Sequence, residues 1–187
     1  RAVHPNFYMF GEAFNYDAGT IAQHQRPENG GISVLDFPGK QAITSVFQDA
    51  NSDYANITWY LDLNKDIYTN PYDLATFYDN HDMARMDSSS NSNAFIDANN
   101  WLFTSRGIPV VYYGSEMQFM NGKSEHDGNR NYYGQSNIET ARTTETYAKL
   151  SSIGHIRKNS IALQKGIQIN GTFSGHTAYF FGVYEKD

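Results

Sequence analysis

Apolar residues along the chain gather in short blocks, and the spacing within each block predicts its element. Residues 7–12 are an apolar run closed by Glu12, and residues 31–37 are a second run; both predict short buried strands. Pro38 then occupies a position suited to a helix's first turn, and Ile43, Val46 and Phe47 share one face of a helix over residues 39–49. Ile57, Tyr60 and Leu61 give another helix over residues 54–64. A third strand spans residues 74–78, followed by a polar loop at 88–93. The next helix covers residues 94–104, with Phe95, Ala98, Trp101 and Leu102 inward, and Gly107 and Pro109 stop it. Residues 108–114 are the fourth strand. A long polar loop follows, then a helix over 145–158 in which Tyr147, Leu150, Ile153 and Ile156 recur in register. Residues 15–30 read as loop with room for a short helix.

Past residue 158 the pattern changes. Residues 161–169 and 177–184 predict strands, with Asn170-Gly171 as the turn between them. The chain therefore divides into 1–158 and 159–187, the second part being the start of an antiparallel β unit. In the first part strands alternate with helices, which indicates an α/β fold with a parallel sheet. Three of its four strands run into polar or Gly-rich loops that carry acids. That is the end at which a (β/α)8 barrel builds its active site.

Composition narrows the function. A net charge of −6 without any cluster of Lys and Arg argues against nucleic acid as a partner. No apolar run reaches the roughly 18–20 residues of a membrane span. The absence of cysteine removes disulfides, thiolate metal sites and Cys nucleophiles. Residues 1–5 do not have the charged-then-apolar pattern of a signal peptide. Aromatic residues make up 15% of the chain, which suits either a Tyr-rich core or stacking platforms for a ligand with flat C–H faces.

Carboxylates at strand ends are the candidate chemistry. Glu12 closes the first strand, and a carboxyl partly withdrawn from water is suited to general acid work; a surface Glu at a strand exit is the alternative. Asp82 ends Asp79-Asn80-His81-Asp82 after the third strand, where a barrel would aim it into the same mouth; a turn and helix cap would use the same residue types. His81 lacks a spaced partner for a metal and better suits a hydrogen bond to a hydroxyl. Glu125, His126, Asp127 and Arg130 follow the fourth strand, as a ligand-facing loop or a solvated charged one.

Taken in order, these segments resemble the α-amylase family. Phe10-Gly11-Glu12-Ala13-Phe14 resembles its strand-five motif, and Phe77-Tyr78-Asp79-Asn80-His81-Asp82 its strand-seven motif. Residues 107–116 are similar to its strand-eight motif, and residues 31–47 to its strand-six and helix-six stretch. Asp127-Gly128-Asn129-Arg130 resembles the Asp-Pro-Asp-Asn-Arg loop of cyclodextrin glucanotransferases. His126-Asp127-Gly128 departs from that loop, and Ala13 replaces the bulkier residue often found after the acid.

The resemblance implies the C-terminal half, strands five to eight, of a (β/α)8 TIM barrel. It implies hydrolysis of internal α-1,4-glucosidic bonds in starch and maltooligosaccharides by a retaining mechanism. The alternatives are a cyclodextrin glucanotransferase or a piece that only binds glucan. Carried over by position, Glu12 is the general acid/base and Asp82 the transition-state stabiliser. His81, Asn80, Arg130, Phe14 and Asp127 fall at substrate-binding positions. The family's nucleophile lies in a Gly-x-Arg-x-Asp motif that these residues lack, and Glu12 stands so close to Arg1 that strand four is expected upstream. The N-terminal half of the barrel is thus an expected partner. Calcium is expected for the complete enzyme with ligands mostly outside this chain, and a secreted location is expected too.

Overall fold

The computed structural model describes residues 3–63, 66–86, 92–119 and 128–186. Four short parallel strands stand side by side in chain order. β1 (Phe10–Gly11) pairs with β2 (Ser33–Val34), and β3 (Ala75–Thr76) pairs with β4 (Ile108–Pro109). A single parallel bridge, Leu35 to Ala75, joins the two pairs, reinforced by Asp36 N donating to Ala75 O at 3.0 Å. Pro109 fits because the ladder donors on its strand are its neighbours: Ile108 N and Val110 N donate to Leu74 O and Thr76 O, both at 2.8 Å. The apolar runs are longer than the strands within them, and the first is not the buried strand its pattern predicts: Phe7, Tyr8 and Phe10 are 64%, 43% and 53% exposed.

Helices cover the outer side. α1 (Ala18–Ala22) is capped by Asp17, and α2 (Phe37–Phe47) by Asp36, whose carboxylate accepts from Gly39 N at 2.9 Å. α2 buries Ile43, Val46 and Phe47 as its spacing predicts, and Ala42 with them. A 3₁₀ turn at Tyr54–Ile57 leads into α3 (Thr58–Leu61). α4 (Ser92–Thr104) begins where a polar loop was expected, and it buries Phe95, Ala98, Trp101 and Leu102. Gly107 ends that segment at φ 95°, where a Cβ would stand 2.1 Å from Thr76 Oγ1. Only glycine allows the chain to enter β4 beside β3.

The predicted long polar loop contains α5 (Gly134–Ala141). α6 (Glu145–Asn159) is capped by Thr144, with Glu145 in its first turn and Arg157 and Lys158 in its last, as the helix dipole favours. Its packing face differs from the predicted one. Leu150 is buried, but Tyr147 and Ile156 are exposed. Arg157 turns inward one helical face over, donating to the carbonyls of Phe103 (2.9 Å), Ser105 (3.2 Å) and Gly107 (2.7 Å). Ile156, the residue before it, is left 54% exposed.

The predicted strand at 161–169 is corrected. Residues 161–165 form a helix, α7 (Ile161–Lys165), started by Ser160, whose hydroxyl accepts from Leu163 N at 3.3 Å. Ala, Leu, Gln and Lys are good helix formers, and three adjacent apolar residues carry no period of two. β5 (Ile167–Ser174) and β6 (Thr177–Val183) then form an antiparallel hairpin. Asn170-Gly171 is not its turn: both lie inside β5, at a register irregularity, and the reversal comes at Gly175 and His176. A Cβ on Gly171 would meet Tyr179 Cδ1 at 2.4 Å, so this glycine permits cross-strand packing. The hairpin rests on α4 through Phe173 and Phe180, whose rings lie 6.1 and 5.2 Å from Trp101.

Two buried charges brace the helices. Arg106 donates to the carbonyls of Tyr60 (2.9 Å), Leu61 (3.4 Å) and Leu63 (2.6 Å), with its guanidinium 5.0 Å from the centre of the Tyr60 ring. Asp36 is fully buried and accepts from Tyr60 Oη at 2.5 Å. Burial pushes the Asp36 carboxyl above its usual range, against the hydrogen bonds from Tyr60 and Gly39. A carboxyl that holds its proton more tightly when folded stabilises the fold toward acid. That contribution is complete below the unfolded pKa of about 4 and is lost as pH rises through the folded value. Asp36→Asn, neutral at every pH, is therefore expected to flatten this loss. Urea midpoints followed from pH 4 upward should fall less for the variant than for the parent, and parallel curves would contradict the assignment.

Candidate active site

The residues singled out by sequence come from different strand ends. Glu12 follows β1, His81 and Asp82 follow β3, and Arg130 lies on the segment after β4. One ligand atom from each of Glu12, His81 and Asp82 lies within 4.8 Å of the others. All three side chains are exposed; the partial burial expected of Glu12 is absent among the described residues.

Asp82 is held from several sides. Its backbone amide donates to Asn80 Oδ1 at 2.9 Å, a local turn that fixes the direction of the next residue. His81 Nε2 lies 3.3 Å from Asp82 Oδ2, and the Arg130 guanidinium is paired with Asp82 Oδ1. Arg130 Nε also donates to His81 O at 2.9 Å. Asn80, expected to face a ligand, is buried, and its side-chain carbonyl serves Asp82 instead. Phe14 is 65% exposed and packs edge-on against Phe37 at 4.9 Å, so its ring is supported yet open to a ligand. Asp127, with Glu125 and His126, lies outside the described residues.

Below this rim is a buried polar layer that the sequence alone did not single out. Asp79 is 2% exposed, and it accepts from Ser115 Oγ at 3.0 Å and from Met86 N at 3.0 Å. Burial raises the Asp79 carboxyl's pKa, while the Met86 and Ser115 bonds and the charges of Arg85 and Lys40 act the other way. Asn129, also buried, donates through Nδ2 to His81 O at 2.5 Å and Met83 O at 3.1 Å. Asn129 stands beside Arg130 in the loop motif, which was the available signal for it. Tyr112 lies 6.4 Å from the His81 ring; burial, with help from Tyr113, pushes its phenol up to about 12, so it stays protonated at neutral pH.

Among the described residues, Glu12, His81 and Asp82 are the one trio placed to share a metal. They do not suit calcium, which takes six to eight oxygen ligands. Here two carboxylates and an imidazole converge, and one carboxylate already pairs with a guanidinium. The trio sets one exposed carboxylate, Glu12, beside another, Asp82, that a guanidinium anchors.

Parallel strands in sequential order, helices outside and acids gathered at the strands' C-terminal ends define a segment of a barrel-type catalytic domain. Residues 1–166 match the family model described as the alpha amylase catalytic domain, and the chain belongs to that family. It is 32% identical over 166 residues to a cyclomaltodextrin glucanotransferase of Bacillus sp. (strain 1-1), covering 87% of this chain and 23% of that protein. An alpha-amylase from Geobacillus thermoleovorans, complexed with acarbose, superposes with a TM-score of 0.80 at 26% identity, over 98% of this chain and 41% of that one. A gamma-CGTase from alkalophilic Bacillus clarkii gives 0.74 at 27% identity, over 90% and 24%. The chain thus spans about a quarter of the length of the curated relatives it matches.

Proposed function

We propose that the protein carrying this chain cleaves internal α-1,4-glucosidic bonds of starch and maltooligosaccharides with retention of configuration, and that this chain supplies its acid/base and its stabilising carboxylate. The observation that carries the reading is the convergence of Glu12, His81 and Asp82 within 4.8 Å from two separate strand ends. On this reading these strands are five to eight of the barrel, and residues 159–187 begin a separate β domain. An Asp from the N-terminal half of the barrel attacks the anomeric carbon. Glu12 gives its proton to the departing glycosidic oxygen, then takes one from water in the second step. Asp82 carries the negative charge that an oxocarbenium-like transition state needs, and His81 donates to a hydroxyl of the same ring. Arg130 holds Asp82 in place and reaches a neighbouring sugar. Asn80 orients Asp82 through its amide oxygen, and Asp127 completes the binding set. Calcium and a secreted location belong to this reading, with calcium ligands mostly outside the chain.

A second reading, transfer to a sugar hydroxyl as in a cyclodextrin glucanotransferase, is favoured by the open ring of Phe14, which the resemblance puts at an acceptor-side position, and by the names of the curated relatives. Soluble starch incubated with the complete protein, with and without calcium, is expected to give products separable by chromatography. Linear maltooligosaccharides support hydrolysis and cyclic ones support transfer. No turnover by the complete protein would leave only glucan binding and sink both.

A further inference from the structure

We propose that Arg85 is a positioning residue for this active site, holding the segment after β3 to the segment after β4. The inference rests on the reading of Glu12 and Asp82 as catalytic carboxylates. Arg85 follows Asp82 by three positions and is 3% exposed. Its Nε donates to Gly128 O at 3.3 Å, and its Nη1 donates to Ser115 Oγ at 3.1 Å. Both acceptors lie beyond β4. Ser115 passes the link on to Asp79, whose carboxylate it reaches at 3.0 Å. Asp79 in turn accepts from Met86 N, at the far end of the same β3 segment. The guanidinium also lies 5.0 Å from the Tyr112 ring centre, 5.3 Å from that of Tyr113 and 5.9 Å from that of Phe119.

One planar cation therefore spans two loops and stacks among three rings. Lysine, a compact point charge without the planar fork of donors, cannot reproduce that arrangement. Its position explains why the rim above has a defined shape. Gly128, which Arg85 fixes, immediately precedes Asn129 and Arg130, and these hold the His81 carbonyl and the Asp82 carboxylate. Gly114 clears the space: its φ is 85°, and a Cβ there would lie 3.3 Å from Arg85 Nη2. Without the guanidinium the two loops would separate. Asp82 would then shift relative to Glu12, although every group that grips the sugar would still be present.

Misplacing a reacting group by about 1 Å is worth on the order of 100-fold in rate. In the complete protein, Arg85→Ala is expected to lower kcat by about that factor with KM nearly unchanged. Added guanidinium ion should restore part of the loss, whereas sodium chloride at equal ionic strength should not. Arg85→Lys should recover little. Ser115→Ala, which cuts the link to Asp79, should lower kcat in the same direction and provides the reading if Arg85→Ala does not fold. Parental kcat in folded Arg85→Ala, or in Ser115→Ala if it must stand in, overturns the proposal while the site assignment survives. If Glu12→Gln retains full turnover in the same protein, the site assignment fails and this inference falls with it.

Discussion

Glu12→Gln in the complete protein is expected to abolish starch turnover while leaving glucan binding intact. The substitution keeps the side chain's length and its hydrogen-bonding oxygen but removes the transferable proton. Glu12 stands at the end of β1 with its carboxylate near that of Asp82 and the imidazole of His81, where a glycosidic oxygen would have to accept that proton. Proton transfer by a positioned side chain contributes roughly 10²–10⁴-fold, so kcat should fall by about three orders of magnitude. Calorimetry with acarbose, the ligand of the Geobacillus amylase structure, separates the two effects. Unchanged binding with lost turnover fits an acid/base; lost binding would recast Glu12 as a substrate anchor, and retained turnover would remove it from the chemistry.

Asp82→Asn should act almost as strongly by a different route. The variant preserves the backbone amide that Asn80 holds at 2.9 Å, so the local turn survives. It removes the charge that faces a developing cation, and it leaves Arg130 paired to a neutral amide. Preorganised electrostatic groups of this kind are worth on the order of 10²–10³ in kcat. An equal fall in kcat and kcat/KM is expected, the mark of an interaction made only in the transition state. A rise in KM with kcat unchanged would assign Asp82 to ground-state binding instead.

The convergence of Glu12 and Asp82 was legible in the sequence because Glu12 closes one apolar run and Asp82 ends a polar tetrad just past another, and a parallel barrel sends both ends to one side. The inward faces of α2 and α4 were legible because three and four apolar residues at helical spacing have few other uses. The supporting layer was not. Asp79 and Ser115 stood in the family-like motifs without a role and Arg85 outside them, and only the tertiary fold brings the segments after β3 and β4 close enough to bury them together. Strand length was also hidden, because Phe7 and Tyr8 belong to an apolar run yet lie exposed outside β1. The tail misled at Asn170-Gly171, where a strong turn dipeptide was overridden by a glycine needed for close approach to Tyr179. Ile156 was placed inward by spacing alone, yet it is exposed while the neighbouring Arg157 reaches three inner carbonyls.

Arg106 has a consequence for how the molecule opens. α3 is a single turn of four residues, too short to persist alone in water. Its final carbonyls and that of Leu63 are gathered by a guanidinium whose own backbone leads from α4 into β4. The turn is thereby tied to that junction. Under native conditions its amides should exchange with solvent only when the α4–β4 junction lets go, which makes two segments far apart in sequence one cooperative unit.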